Sequence, residues 1–131
     1  MWEYRGTMPI TWTFEPAQRF ALLSVVDPYT IEEWRAAVLA ILEAPVSREH
    51  VAILIDRRDT QPPTTEFAAE MTRFFAEHRG VLSSARAAMV VRDDAGLGMA
   101  RMTQLKSELD IPEISFRVFH SYDDAVRWLT A

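Results

Sequence analysis

Charged and hydroxyl side chains are concentrated in the segment Asp56–Thr65, directly after the apolar run Val51–Ile55. A continuous apolar run of this length is typical of a central strand covered on both faces. In sheets built from strand–helix units, ligands bind at the carboxyl ends of the strands, where helix N-termini offer free amides to anions. We therefore predict a binding loop here; the alternative is an ordinary solvated connection with a threonine cap. The candidate binding residues are Asp56, Arg57, Arg58, Asp59, Thr60 and Thr64.

A second polar segment, Arg92–Gly98, follows the next apolar run and is expected at the same edge of the sheet. Its glycines, Gly96 and Gly98, match part of a phosphate-binding loop. Arg101 stands where the third glycine of that pattern belongs, and no Gly-Lys-Ser/Thr sequence follows. Close packing of a helix against a strand, or a loose helix start, explains the glycines better. Arg101 stays a candidate for facing an anion.

No set of residues predicts a metal site, a cofactor or an enzyme. The chain has no cysteine, and its three histidines lack the spacing of metal ligands. There is also no Gly-x-Ser-x-Gly nucleophile motif. The paired acids stand at predicted helix starts, where capping and the helix dipole explain them. These pairs are Glu32-Glu33, Asp93-Asp94 and Asp123-Asp124.

The composition predicts one globular domain spanning residues 1–131. Apolar residues make up 49% and charged residues 25% of the chain, with a net charge of −5. The acidic balance argues against nucleic acid as a partner. No apolar run approaches the ~20 residues of a membrane span. Because the N-terminus also lacks a signal peptide pattern and cysteine is absent, we expect a cytoplasmic protein.

The first third of the chain reads as a hairpin followed by a helix. Residues 10–14 alternate between apolar and polar, and Phe20–Val26 is a second strand, so an antiparallel pair is expected. Thr30 and Glu33 have the spacing of a capping box. The apolar positions after them share one helical face and are Ile31, Trp34, Val38, Ile41 and Leu42.

Three further strand–helix units follow along the chain. Val51–Ile55 precedes a helix that begins near Thr64 or Thr65, and Ala87–Val91 precedes a helix with Met99, Met102, Leu105 and Leu109 aligned. The last unit is a strand around residues 116–118 and a helix capped by Ser121. The predicted fold is α/β in the order ββαβαβαβα, with a mixed five-stranded sheet and four helices, because short strand–helix crossovers demand parallel strands.

Several sequence stretches resemble the STAS superfamily, and in particular its SpoIIAA-like branch of anti-sigma factor antagonists and CRAL-TRIO-like domains. They are Arg86–Asp93, Gly98–Met102, Phe116–Phe119 and Asp124–Leu129. The resemblance covers residues 8–131 and implies a βα superhelix with a mixed sheet. In the anti-sigma factor antagonists, the loop after the third strand carries Asp-Ser-Ser-Gly, and a partner kinase phosphorylates its serine.

The matching stretch of this chain departs from that phosphorylation motif. Asp56 stands where the family has its aspartate, but Arg57 and Arg58 replace the two serines and no glycine follows. Thr60 is the nearest hydroxyl that could take the place of the serine. The resemblance therefore implies a regulatory, protein-binding module more strongly than it implies a phosphorylation switch.

Two functions follow from these observations. The first is a non-enzymatic regulatory or protein-interaction module that uses the loop after the third strand. The second is a carrier or sensor of a small apolar or lipid-like ligand, which needs a cavity lined by residues such as Phe67, Met71, Met99 and Met102; a plain core role is the other reading of the methionines. Aromatic residues near the N-terminus also suggest a homodimer or, equally, cover the open side of the sheet within the same chain. They are Trp2, Tyr4 and Trp12.

Overall fold

The computed structural model describes residues 9–15, 19–48, 51–61, 64–93, 97–98, 101–102, 104–105, 108 and 114–131. Several residues singled out in the sequence lie outside these ranges, so their predicted roles are not addressed below. They are Trp2, Tyr4, His50, Gly96, Met99 and Leu109.

The described residues form a mixed five-stranded sheet with helices on both faces. The strands are β1 (Ile10–Glu15), β2 (Phe20–Val26), β3 (Ala52–Asp59), β4 (Arg86–Val90) and β5 (Ser115–Phe119), and they lie side by side in chain order. β1 and β2 pair antiparallel, whereas β3, β4 and β5 each pair parallel with the preceding strand. This topology confirms the predicted hairpin and the parallel crossovers that follow it.

The helices connect and flank these strands in the predicted order. They are α1 (Ile31–Glu43), α2 (Thr65–Glu77), the described helical residues 97–98, 101–102, 104–105 and 108, which we label α3, and α4 (Tyr122–Thr130). A 3₁₀ helix, Pro45–Arg48, follows α1. The order ββαβαβαβα, the α/β class and the four helices are therefore as expected from the sequence.

Local capping determines where the helices begin. The Thr30 hydroxyl accepts from the Glu33 amide at 3.1 Å, and the Glu33 carboxylate accepts from the Thr30 amide at 2.8 Å, so the predicted capping box is present. Thr64 caps α2 and Ser121 caps α4 in the same way, each accepting from an amide three residues on. Such caps satisfy backbone donors that have no partner within the helix.

Two apolar layers cover the sheet, one on each face. α1 and α2 pack on the face that carries Ile53 and Ile55, and α4 packs on the face that carries Ala52 and Leu54. Adjacent residues of β3 thus point to opposite layers, as they must in an extended strand. The continuous apolar run in the sequence is therefore explained, because β3 is central and buried on both sides.

The first layer is rich in aromatic rings that meet edge to face. Trp34 is 0% exposed, and its ring centroid lies 5.4 Å from that of Phe74 and 5.6 Å from that of Phe67. Edge-to-face pairs add to the free energy of burial because the positive ring edge meets the negative face. Met71 and Met89 are also buried in this layer, and for Met71 this is the core role that the sequence analysis gave as the alternative to a ligand cavity.

The core role predicted for the apolar stripe of α3 is wrong for its two described members, Met102 and Leu105. Met102 is 62% exposed and Leu105 is 60% exposed. Helical spacing places such residues on one side of a helix, but that side is buried only where a surface is available to receive it. Here α1 and α2 pack on one face of the sheet and α4 on the other, and of the described α3 residues it is Leu97 that contacts the first layer.

Candidate functional site

β3 projects beyond its neighbour β4 at the carboxyl edge of the sheet. The last β3–β4 pair is Asp56 with Val90, whereas pairing with β2 continues, after an irregularity in register, to Asp59 opposite Val26. The sequence prediction of a loop beginning at Asp56 is therefore wrong, because pairing with β2 keeps the chain extended to Asp59. We call the segment Asp56–Thr64 the β3 rim; its described residues are 56–61 and 64.

Because the rim begins as a strand, its side chains alternate between the two faces of the sheet. Arg57 points to the face of α1 and α2, where it contacts Tyr29 and Phe67. Arg58 points to the face of α4, where it contacts Tyr122. The two arginines that replace the serines of the related motif thus lie in two different environments.

Arg57 is the most deeply buried charged group among the described residues, at 2% exposed. Its Nη1 donates to the Tyr29 hydroxyl at 2.8 Å, and its Nη2 donates to the Gln61 carbonyl at 3.2 Å. Its Cζ lies 5.4 Å from the centroid of the Tyr29 ring and 5.1 Å from that of Phe67. The buried cation is therefore held by neutral acceptors and by the faces of two aromatic rings.

Arg58 is held in place by Asp56 two residues earlier. Its Nε and Nη2 donate to the two carboxylate oxygens of Asp56 at 2.9 and 2.8 Å, and its Cζ lies 5.1 Å from the centroid of the Tyr122 ring. Partial burial alone would raise the pKa of Asp56, but the hydrogen bonds and charge of Arg58 outweigh it and hold the pKa below the ordinary value of 3.8. The bond to Asp56 in turn raises the pKa of Arg58.

The remaining candidate residues have different positions along the rim. Asp59 is exposed at the end of β3. Thr60 is only 5% exposed, and its hydroxyl donates to the carbonyl of Arg57 at 2.8 Å. Thr64 is exposed and accepts from the Phe67 amide as the N-cap of α2. The structure therefore brings all six predicted residues to one edge but turns the Thr60 hydroxyl inward.

A surface cleft of about 400 Å³ opens beside the rim. We call it the Arg57 cleft, because that residue lies on its buried side. The first turn of α2 forms one wall, and the connection between β2 and α1 forms the other. The lining residues are Asp27, Tyr29, Ile31, Arg57, Gln61, Thr64, Glu66, Phe67 and Glu70.

Asp27, Tyr29 and Gln61 are site residues that the sequence analysis missed. The Asp27 carboxylate accepts from the Gln61 amide at 2.6 Å, which ties the β2–α1 connection to the rim. The available signal was the topology, because the connections that follow two adjacent parallel strands must emerge at the same edge. Nothing in the local sequence marks Tyr29 as the partner of a residue 28 positions later.

The other sequence candidates do not form a second site among the described residues. The Nε atom of Arg92 lies 3.7 Å from the Oδ2 atom of Asp93 in an exposed ion pair, and Arg101 is exposed. The Nδ1 atom of His78 lies 2.8 Å from the Phe74 carbonyl at the end of α2. Within the part of the chain that the structure describes, no group of three or more His, Asp or Glu residues could hold a metal ion.

The residues proposed for a dimer or an apolar carrier are also dispersed. Trp12 is partly buried and packs against the first layer, where it lines a surface cleft of about 370 Å³ with Ala36 and Ala37 of α1. Met71 is 1% exposed inside the core, whereas Met102 faces solvent. The described members of the predicted carrier cavity therefore do not meet in one cavity.

Comparison with known proteins identifies the family. The SpoIIAA-like family model matches residues 23–130. The chain belongs to the SpoIIAA-like family. The crystal structure of a protein of the DUF3478 family with a SpoIIAA-like fold, from Shewanella loihica PV-4, superposes with a TM-score of 0.65 at 17% identity, covering 92% of this chain and 93% of that one. This likeness shows the fold alone.

Two further findings stand beside the family match. No curated protein matches the chain. Among the described residues, no helix has both the length and the apolar character needed to cross a membrane. The family match alone supports describing the chain as a STAS-type module.

Proposed function

We propose that this SpoIIAA-like domain is a non-enzymatic regulatory module that docks a protein partner through the β3 rim. The family supports the kind of module, and the rim supports the place. The observation that supports this proposal most directly is the position of Arg58. Its guanidinium forms a bidentate ion pair with Asp56 and lies over the Tyr122 ring. An arginine that is already oriented loses less side-chain entropy when a partner binds.

The charges along the rim give the proposed interface its selectivity. Arg58 is 44% exposed and is followed by exposed Asp59, so a cation and an anion stand next to each other at the edge. Complementary charges on a partner would select the orientation and speed the association more than they would add affinity. The proposed partner therefore carries an acidic and a basic group at matching positions, framed by apolar contact with the Tyr122 ring.

Thr60 has a supporting role in this proposal. Its hydroxyl is bonded to the Arg57 carbonyl, and the side chain is nearly inaccessible. A kinase would have to open the end of β3 to reach it. We therefore propose docking that does not depend on phosphorylation of Thr60, with Thr60 stabilising the turn that follows the strand.

The alternative function, a carrier or sensor of a small apolar or lipid-like ligand, has weaker support. Met71 belongs to the packed core and Met102 is exposed, so these two residues do not supply the walls of a lipid-sized cavity. The homodimer through the N-terminal aromatic residues stays a prediction, to be checked by light scattering at high concentration. The cytoplasm stays the proposed compartment, on the absence of cysteine.

Site-specific photo-crosslinking in the source cells tests the rim as a docking surface. A benzophenone amino acid replaces exposed Gln61 on the rim or, as the control, exposed Thr13 on β1. We expect a discrete cross-linked protein from position 61 and none from position 13. Adding Arg58→Glu should abolish the cross-link, whereas Arg127→Glu, which reverses an exposed charge near the other end of α4, should not. Equal cross-linking at both positions, or a product that survives Arg58→Glu, would contradict the proposal.

A further inference from the structure

Arg57 is a buried cation that has no anionic partner among the described residues. None of their carboxylates forms a salt bridge with it, and its two hydrogen bonds go to a hydroxyl and a carbonyl. Of its five N–H groups, the one on Nε is buried and has no hydrogen-bond partner among the described residues. Buried charges in proteins are as a rule paired, because an unpaired one is costly to desolvate. Arg57, which lines the cleft, therefore has a donor for which the described residues supply no acceptor.

The start of α2 adds further positive potential to the same cleft. Thr64 and Glu66 line it, so the first turn of this 13-residue helix faces the opening. The first amides of a helix have no intrahelical acceptors, and the helix dipole places partial positive charge there. Together with the Arg57 guanidinium, this end of the helix favours a negatively charged group.

Three carboxylates line the cleft and limit how much negative charge it accepts. Asp27 already accepts from the Gln61 amide, and Glu70 is paired with Arg73 and lies 3.9 Å from Arg35. Glu66 is exposed in the first turn of α2. These acids repel a polyanion such as a phosphate ester more strongly than they repel a group with a single negative charge. The planar guanidinium also matches the planar geometry of a carboxylate.

The rest of the cleft is apolar and aromatic. Ile31, Tyr29 and Phe67 line it, and the Tyr29 and Phe67 rings meet edge to face at 5.6 Å. A volume of about 400 Å³ lies near the small end of the range seen for small-molecule sites, which is roughly 300–1,000 Å³. It suits a compact organic molecule better than a lipid chain.

We propose that the Arg57 cleft binds a small organic monocarboxylate with an apolar, ring-sized body. The carboxylate is read by the Arg57 guanidinium, and the body packs against Tyr29, Ile31 and Phe67. This inference goes beyond the docking proposal, because binding requires only the isolated chain. Failure of the ligand test leaves the cross-linking test unaffected, and the reverse also holds.

Titration of the full chain, followed by ¹H–¹⁵N NMR, tests the proposal with defined probes. The carboxylates are benzoate, phenylacetate and hexanoate, and the controls are benzamide, benzylamine and inorganic phosphate. We expect saturable shifts at Tyr29, Gln61 and Phe67 with at least one carboxylate, and binding of the matched controls about tenfold weaker. The absence of saturable binding by all three carboxylates, or equally tight binding of benzamide, benzylamine or phosphate, would overturn the proposal.

Neighbouring Arg58 provides a matched control for the variant arm. Arg57→Met should abolish carboxylate binding, whereas Arg58→Met removes the same charge on the other face of the sheet and should leave binding unchanged. Glu66→Gln should tighten binding about twofold, because it removes a repelling charge at the surface. Equal binding by Arg57→Met and Arg58→Met, or weaker binding by Glu66→Gln, contradicts the proposal. If Arg57→Met does not fold, Glu66→Gln and the probe comparison on the unaltered chain decide the question.

Discussion

Arg57 and Arg58 are consecutive residues of one strand, yet their guanidinium groups lie on opposite faces of the sheet. Arg57 is 2% exposed and packs against the Tyr29 and Phe67 rings, and the Arg58 side chain is 44% exposed over the Tyr122 ring. Their surroundings divide the β3 rim into a buried cation that lines a cleft and a surface cation fixed by an acid. The two proposals above assign a different task to each.

Truncation of the two arginines should have unequal effects on stability. Arg57→Ala removes two hydrogen bonds and leaves a void beside the Tyr29 and Phe67 rings, so we expect the free energy of unfolding to fall by about 2–3 kcal/mol. Arg58→Ala removes a partly exposed ion pair and should cost about 1 kcal/mol or less. Urea denaturation of both variants measures the difference, and equal losses would contradict the distinct environments of the two residues.

The Asp56–Arg58 pair predicts a pH dependence of stability. The pKa of Asp56 is lowered in the folded state, so its contribution is fully present above the unfolded pKa and is lost as pH falls through the folded pKa. Asp56→Asn should therefore lower the free energy of unfolding by about 1 kcal/mol at pH 7, and the gap to the unaltered protein should close below pH ~3.8.

Urea midpoints at pH 7 and at low pH provide the measurement for Asp56→Asn. Arg58→Met is the companion variant, since in its background only the hydrogen bond from the backbone amide of residue 58 remains and the substitution of Asp56 should have a smaller effect at pH 7. A gap that is unchanged between neutral and acid pH would show that the pair does not lower the pKa of Asp56.

Thr64 is predicted to stabilise the start of α2. Its hydroxyl accepts from the Phe67 amide, so Thr64→Ala should destabilise the protein by about 1 kcal/mol, whereas Thr64→Ser keeps the cap and should be close to neutral. Thermal unfolding followed by circular dichroism compares the three proteins. If Thr64→Ser loses as much stability as Thr64→Ala, the hydroxyl is not the stabilising group.

Two methionines should respond in opposite ways to truncation. Met71 is 1% exposed in the core, so Met71→Ala should cost about 2–4 kcal/mol, whereas Met102 is 62% exposed and Met102→Ala should stay within about 0.5 kcal/mol of the unaltered protein. Urea unfolding again gives the comparison. A large loss from Met102→Ala would mean that another surface covers this side chain in solution.

Patterns within short stretches of sequence predict the order of the elements well. The Thr30–Glu33 capping box, the Ser121 cap and the double-sided apolar run before Asp56 are all present in the structure. Each depends on residues a few positions apart, and the backbone periods of 2 and 3.6 translate that spacing directly into geometry. The family resemblance rests on the same regularities and is confirmed by the family match.

The candidate site is predicted only in outline by such patterns. Its edge of the sheet follows from parallel topology, so the stretch after Ile55 could be located without coordinates. The end of β3 could not be located from the sequence. Its last residues are polar and resemble a loop, but they remain extended because Asp59 pairs with Val26 of β2. The stripe containing Met102 failed for a related reason, since spacing identifies a face of a helix without identifying what covers it.

The amino-acid sequence by itself therefore determines the order of the helices and strands and the edge of the sheet that carries polar groups, because these features depend on local spacing. Only the tertiary structure decides that Arg57 is enclosed by Tyr29 and Phe67 while Arg58 is paired with Asp56. A shift of one residue along an extended strand reverses the face to which a side chain points, and the rings that enclose Arg57 come from elements on either side of β3 in the chain. The contrast between the two arginines is thus a property of packing between distant segments.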